Sequence, residues 1–187
     1  MARNTTSLIV VDLECTCWDS IPPPDEKQEI IEIGIASIDI DSLKITRKLS
    51  ILVKPTVSKV SPFCTGLTTL TQEQLDKEGV SFADACMLLR STFRSKTTTW
   101  ASFGDFDRNM FHKQCAYPEF EHVAYPFGSS HINIKNLYAL VNKLPKEANM
   151  QTVLDLEEME LIGTHHRGVD DAVNIAMITT NLLSILK

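Results

Sequence analysis

The run Ser7-Leu8-Ile9-Val10-Val11-Asp12-Leu13-Glu14 is an apolar, β-branched segment of strand length that ends in two carboxylates two residues apart. Side chains alternate across a strand, so Asp12 and Glu14 leave one face while Val11 and Leu13 leave the other. Two like charges side by side at the end of an apolar strand repel unless something positive sits between them. A hard divalent cation with oxygen ligands meets that need. A strand that simply runs out into an acidic, solvated turn is the competing reading, and further acids converging on the same place would decide between them.

Outward from this strand, Cys15-Thr16-Cys17-Trp18-Asp19 leads into a surface turn, Pro22-Pro23-Pro24-Asp25, too short to link domains. Glu29 to Ile40 and Ile45 to Val53 are near-alternating, isoleucine-rich runs joined at Asp41-Ser42, and they predict two more strands in a hairpin. Pro62 to Thr71 reads as a loop. Thr71 then predicts the cap of a short helix, with Gln74 reaching back in a capping box. Ser81 to Arg94 carries Phe82, Ala85, Leu88, Leu89 and Phe93 at helical spacing. Thr97 to Ser102 predicts a fourth strand, followed by a helix over about 105–115. The signal from Ala116 to His131 is weak. Helices follow over Ile134–Val141, Leu154–Leu161 and Val169–Leu186. Strands first, then helices alternating with at least one more strand, predict an α/β layer structure with a mixed sheet.

Composition narrows the class. The 187 residues are 43% hydrophobic and 22% charged, as in a globular chain of one domain, 1–187, with a sizeable core. The apolar runs read as shorter than a membrane span, and the N-terminus shows no signal-peptide pattern. We therefore expect an intracellular, cytoplasmic protein with no membrane partner. Five cysteines, at 15, 17, 64, 86 and 115, are odd in number and read as free thiols; a zinc site on Cys15-x-Cys17 would lack a second ligand pair. A net charge of -6 argues against wrapping nucleic acid on a broad basic surface, but not against a phosphate substrate held through bound metal. Basic clusters at Lys44, Arg47, Lys48, Lys54 and Lys59 and at Arg90, Arg94 and Lys96 read as solvated faces.

Helical phase selects further acids from 24 acidic residues. Asp107 has Met110 and Phe111 three and four residues onward, the face that packs on the sheet, whereas Asp105 has Arg108, Asn109 and His112 and reads as the helix cap. Asp171 shares a stripe with Ile175, Ile178 and Leu182, whereas Asp170 shares one with Asn174, Met177 and Asn181. Asp107 and Asp171 are the inward acids, and such carboxylates are seldom buried alone. Just ahead of Asp171 stands His165-His166-Arg167-Gly168, where a histidine would overhang the acids and suit a general base.

These residues resemble the DEDDh family of 3′-5′ exonucleases. Val11-Asp12-Leu13-Glu14-Cys15-Thr16-Cys17 is similar to its first motif, Phe103-Gly104-Asp105-Phe106-Asp107 to its second, and His166-Arg167-Gly168-Val169-Asp170-Asp171 to its third, with the histidine five residues before the last acid. The start of the chain, Glu29 to Gly34, Phe63-Cys64-Thr65-Gly66-Leu67-Thr68 and Asp170 to Ile175 are most similar to the branch that holds the histone-mRNA 3′ exonuclease and the sporulation KinA-inhibitor group. The resemblance implies a ribonuclease H-like α/β fold, a mixed five-stranded sheet flanked by helices. It implies two Mg²⁺ or Mn²⁺ ions held by Asp12, Glu14, Asp107 and Asp171, and His166 as the general base for hydrolysis of a 3′-terminal phosphodiester to nucleoside 5′-monophosphates. Its partners would be 3′ ends of single-stranded nucleic acid, RNA or DNA, with Thr16 and Leu67 contacting the terminal nucleotide. Trp18 would either stack on a base or cover the sheet edge. His112, His122, His131 and His165 are left as structural or solvated. Two other readings stand beside this one, a catalytically silent nucleic-acid-binding module and a phosphodiesterase of dinucleotides.

Overall fold

The computed structural model describes residues 4–186, so the extreme residues of the expected 1–187 domain, 1–3 and 187, lie outside the described residues. The opening run forms β1 (Asn4–Cys15), followed by β2 (Ile30–Asp39) and β3 (Lys44–Leu52) in an antiparallel meander. β4 (Thr98–Ser102) returns parallel to β1, and β5 (His131–Asn133) lies parallel to β4. The sheet order is β3-β2-β1-β4-β5, a mixed five-stranded sheet with β1 at its centre.

Alternation along β1 splits the core as strand geometry demands. Ile9, Val11 and Leu13 join a cluster with Phe82, Leu89, Trp100 and Phe111 on one face. Leu8 and Val10 join Ala172, Ile175, Ile178 and Leu182 on the other. The first face is covered by α3 (Phe82–Phe93) and α4 (Phe106–Cys115). The second is covered by α5 (Ile134–Val141), α6 (Met150–Leu156) and α7 (Gly168–Leu186). Two short helices, α1 (Pro62–Thr68) and α2 (Gln72–Glu78), lie at the strand ends. Asp12 and Glu14 follow the parity of Leu8 and Val10 and so face α7.

The parallel β1–β4 ladder reaches Val10↔Ala101 and goes no further, while β1 and β2 stay paired on to Cys15↔Ile30. The end of β1 thus parts from β4, opening a crevice at the carboxyl ends of two parallel strands, where α/β sheets place ligands.

Several elements depart from the sequence expectations. Residues 62–68, expected as loop, form α1: Ser61 accepts a hydrogen bond from the Cys64 N–H, Pro62 opens the helix, and Thr69 closes it at φ 64°. That Ser-Pro start is a helix signal in a segment too short to show periodicity. At α2 Thr71 caps by accepting from Gln74 N, but the Gln74 side chain runs forward to Glu78 instead of completing a box. The helix expected over 154–161 lies at 150–156, capped by Asn149 and ended by Glu158 at φ 53°. β5, three residues long, has no periodicity to read. α7 is 19 residues long and includes an 18-residue window of mean hydropathy 1.3, long and apolar enough to cross a membrane, against the expectation that apolar runs are shorter; half of that window is buried against the protein.

Candidate active site

Asp12 and Glu14 stand at the parted end of β1, and the antiparallel register sets Gly34 opposite Asp12 and Glu32 opposite Glu14. Gly34 is there because α7 crosses β2 at that point. A Cβ on Gly34 would lie 1.8 Å from the Gly168 carbonyl oxygen, and one on Gly168 would lie 3.2 Å from the Asp12 carbonyl oxygen. Two glycines let the helix start touch the strands, and three residues later Asp171 is set beside Asp12 and Glu14. One oxygen from each of these carboxylates lies within 4.8 Å of the others.

Asp107 arrives from the opposite layer. It is the second residue of α4, buried at 4% exposure, and accepts a hydrogen bond from Leu13 N at 3.0 Å, a donor beyond the end of the β1–β4 ladder. Its charge is the largest electrostatic influence on Asp12, followed by that of Asp171.

Burial and the neighbouring acids raise the proton affinity of Asp12 and Glu14. Burial first, then Asp107 and Asp171, push Asp12 well above the usual carboxylate range. Burial, with Asp171 and Glu32, pushes Glu14 up to about 8. Asp107 rises to about 7 through burial, held back by its backbone bonds and by a bond from Ser102. The nearby Arg167 guanidinium is engaged elsewhere, donating through Nε to Glu32 at 3.1 Å. An all-oxygen set of buried and half-buried carboxylates with unmet negative charge fits a hard divalent cation. The arrangement decides against an acidic, solvated strand end.

Two imidazoles sit over this centre. His165 Nδ1 lies 3.1 Å from Asp171 Oδ2, and the His166 N–H donates to the same oxygen at 2.9 Å. Their rings stack at 4.0 Å, and each offers a nitrogen within 4.8 Å of the other and of Asp171. His166 has φ 64°, a left-handed conformation that costs a non-glycine residue energy and recurs at functional loops. Burial and the neighbouring His165 lower its pKa, against the pull of Asp171.

The sequence profile of the exonuclease family matches residues 9–179. The chain belongs to the exonuclease family. The 3′-5′ exoribonuclease 1 of Rattus norvegicus is 31% identical over 187 residues, covering 94% of this chain and 52% of the relative. The chain thus spans about half the length of the curated relatives it matches. Among solved structures, the nuclease domain of 3′hExo, a DEDDh family member bound to rAMP, superposes with a TM-score of 0.85 at 26% identity, over 98% of this chain and 95% of that one. A 3′-exonuclease described in 3′-end specific recognition of a histone mRNA stem-loop gives a TM-score of 0.82 at 26% identity, over 96% of this chain and 82% of that one. The resemblance read from three motifs is thus shared by the whole domain. Exonucleases of this family depend on divalent metal.

Of the residues expected in the exonuclease centre, Asp12, Glu14, Asp107, Asp171 and His166 come together at the end of β1. Thr16 is fully buried, its hydroxyl accepting from Glu29 N at 2.9 Å and donating to Lys27 O at 3.3 Å. That side chain fixes the strand end and presents no surface to a nucleotide. Leu67 is 37% exposed on α1, which is tied to the strand end by a bond from Ser61 Oγ to Cys17 O at 2.6 Å. Asp105 occupies the cap position of α4 without capping it; its carboxylate pairs with Arg108 at 3.0 Å and accepts from Asn133. Asp170 accepts from Thr164 N at 2.9 Å and shapes the turn before α7.

Three participants escaped the sequence reading. His165, expected to be structural or solvated, turns its ring to Asp171. Glu32 is fully buried and takes bonds from Ser50 Oγ, Arg167 Nε and Gly168 N, locking the start of α7 to β2. A charged residue inside the apolar run Ile30-Ile31-Glu32-Ile33 was its available signal. Phe106, 51% exposed, immediately precedes Asp107 at the rim.

Proposed function

We propose that residues 1–187 form one exonuclease domain that removes nucleotides from the 3′ end of single-stranded nucleic acid, RNA among its substrates, as nucleoside 5′-monophosphates, in a reaction dependent on Mg²⁺ or Mn²⁺. The observation that carries this is the set of Asp12, Glu14 and Asp171 oxygens within 4.8 Å of one another, with Asp107 and two imidazoles beside them. Asp12, Glu14, Asp107 and Asp171 would hold two cations. Such ions supply positive charge to a phosphodiester and lower the pKa of water.

The protein's own groups account for the rest. His166, with its pKa below the usual value, is neutral near pH 7 and can accept the proton of the attacking water. His165 and the His166 N–H orient Asp171. Leu67 and the exposed Phe63 of α1, with Phe106 of α4, offer apolar surface to the terminal base and sugar. The five free cysteines suit the reducing interior of a cell, and we place the protein in the cytoplasm, checked by imaging a tagged copy.

The test uses an RNA single strand labelled at its 5′ end. With Mn²⁺ present, products shorten one nucleotide at a time from the 3′ end, and EDTA stops them. A protein that binds the strand without shortening it refutes the proposal, as does one that cleaves a dinucleotide and leaves longer strands intact.

A further inference from the structure

A second concavity lies behind Asp107, on the far side of β4 from β1. Its volume is about 470 Å³, and it is lined by Trp100, Arg108, His112, Tyr125, Phe127 and His131 among others. The aromatic lining is ordered. His112 stacks on Tyr125 with centroids 4.0 Å apart and ring planes within 4°, Trp100 stacks on Phe127 at 4.2 Å, and His131 tilts over Trp100 at 4.3 Å. His112 is exposed, while Arg108, Tyr125 and His131 are half-buried, so the rings form both floor and rim.

The floor holds an unmet donor. Trp100 is fully buried, and its indole N–H is the buried side-chain polar atom without a hydrogen-bond partner among the described residues. A buried donor left without an acceptor is costly. At the rim, the Arg108 guanidinium pairs with Asp105 at 3.0 Å, with its side chain still 41% exposed. The cavity therefore offers flat rings and one cation at its rim. That combination suits a flat heterocycle attached to a phosphate, since bases stack on aromatic rings irrespective of sequence.

The cavity also connects to the carboxylates. His131 Nε2 lies 2.8 Å from Ser102 Oγ, whose hydroxyl donates to Gly104 O at 2.9 Å in the turn that leads to the helix carrying Asp107. Arg108 and His112 stand on the outer face of the helix whose inner face carries Asp107. Arg108 directly follows Asp107 on α4, so the wall of the cavity begins one residue from the carboxylate centre.

We propose that the cavity walled by Trp100, Arg108, His112, Tyr125 and His131 is an accessory nucleotide subsite that holds one unpaired base of the strand whose 3′ end is being removed. This rests on the proposed exonuclease reading. The subsite would lengthen the contact between enzyme and single strand and favour strands of several nucleotides over dinucleotides.

Trp100 is one of two tryptophans, so a Trp18→Phe protein reports on it alone. In EDTA, titration with a single-stranded oligoadenylate of about eight nucleotides is expected to quench Trp100 emission, with the quench weakened in His112→Ala and in Arg108→Gln. With Mn²⁺, His112→Ala is expected to raise KM for the long strand about tenfold, the loss of one stacked base, with a much smaller change in kcat. His112 is exposed, so the fold should survive, and the melting temperature verifies that. Emission indifferent to the oligonucleotide, in a protein that shortens single strands, overturns the subsite and leaves the exonuclease reading standing. Equal quenching in both variants also overturns it, since the base would then bind elsewhere. A protein that shows the quench and hydrolyses nothing overturns the exonuclease reading, and the subsite as part of that reaction with it.

Discussion

Removing divalent metal should make the stability of this protein fall as pH rises through neutrality, the reverse of the usual carboxylate behaviour. Glu14 is 7% exposed, and its pKa is raised from 4.5 to about 8. A carboxyl with a raised folded-state pKa keeps its proton in the fold after the unfolded chain has lost it. Its stability is therefore fully present below about 4.5 and is lost as pH climbs toward about 8. Between about pH 6.5 and about pH 8, Glu14 alone accounts for about 1.5 kcal/mol. For a domain of this size that is a fall of about 3–6 °C in Tm. Asp12 and Asp107 shift in the same direction and add to it. His166, whose pKa is lowered, acts oppositely, gaining stability with rising pH, but that gain is mostly complete above about pH 6.5, which sets the lower end of the window.

The assay is thermal unfolding in EDTA across that window, repeated with excess Mg²⁺ or Mn²⁺ and with Glu14→Gln. The EDTA-treated protein should melt lower at the alkaline end. Cations should raise Tm, and raise it more at about pH 8 than at about pH 6.5. Glu14→Gln should lose much of the slope without metal. A Tm that is flat or rises with pH in EDTA would show that the acids do not crowd one another as described, and the metal-binding argument would go with it.

Other consequences are as direct. Asp171→Asn should lower hydrolysis by about a hundredfold or more, whereas Asp170→Asn, which touches the turn at Thr164, should cost about tenfold at most; equal losses refute the assignment of Asp171 as the inward acid. His166→Ala should reduce kcat by about 10²–10⁴-fold while cation-induced stabilisation persists, and a loss of that size from His165→Ala alone would move the general base to the other ring. Gly34→Ala places a methyl 1.8 Å from the Gly168 carbonyl oxygen and should destabilise the fold by about 3 kcal/mol. Denaturant midpoints measure it, and an unchanged midpoint would mean that α7 does not cross β2 there.

Period and phase carried much of the fold because the interactions that set them are local. The parity of Asp12 and Glu14 follows from the pleat of β1, and the inward turn of Asp107 and Asp171 follows from apolar neighbours three and four residues away. β5 was invisible because three residues between neighbouring elements have no period, and α1 because a helix of two turns is held by its Ser61 cap and by docking rather than by an apolar stripe. The orientation of His165 was hidden for another reason. The left-handed turn at His166 sets which ring faces Asp171, and nothing in the order His165-His166-Arg167 announces it.

Glu32 shows what separates a structural acid from a functional one. It is as deeply buried as any carboxylate near the centre, on the strand beside Glu14, yet its charge is met inside the protein by Arg167, Ser50 Oγ and the Gly168 N–H. Burial alone would have marked it as a metal ligand. The charges of Asp12 and Glu14 find mainly other carboxylates, and the Arg167 guanidinium near Glu14 is held by Glu32. Replacing Arg167 would therefore act on α7 first, freeing its start from β2, and on the carboxylate centre through the resulting displacement of Asp171. The centre stays short of positive charge because the nearby Arg167 guanidinium is needed to hold the helix that completes it, and that shortage gives a divalent ion its place.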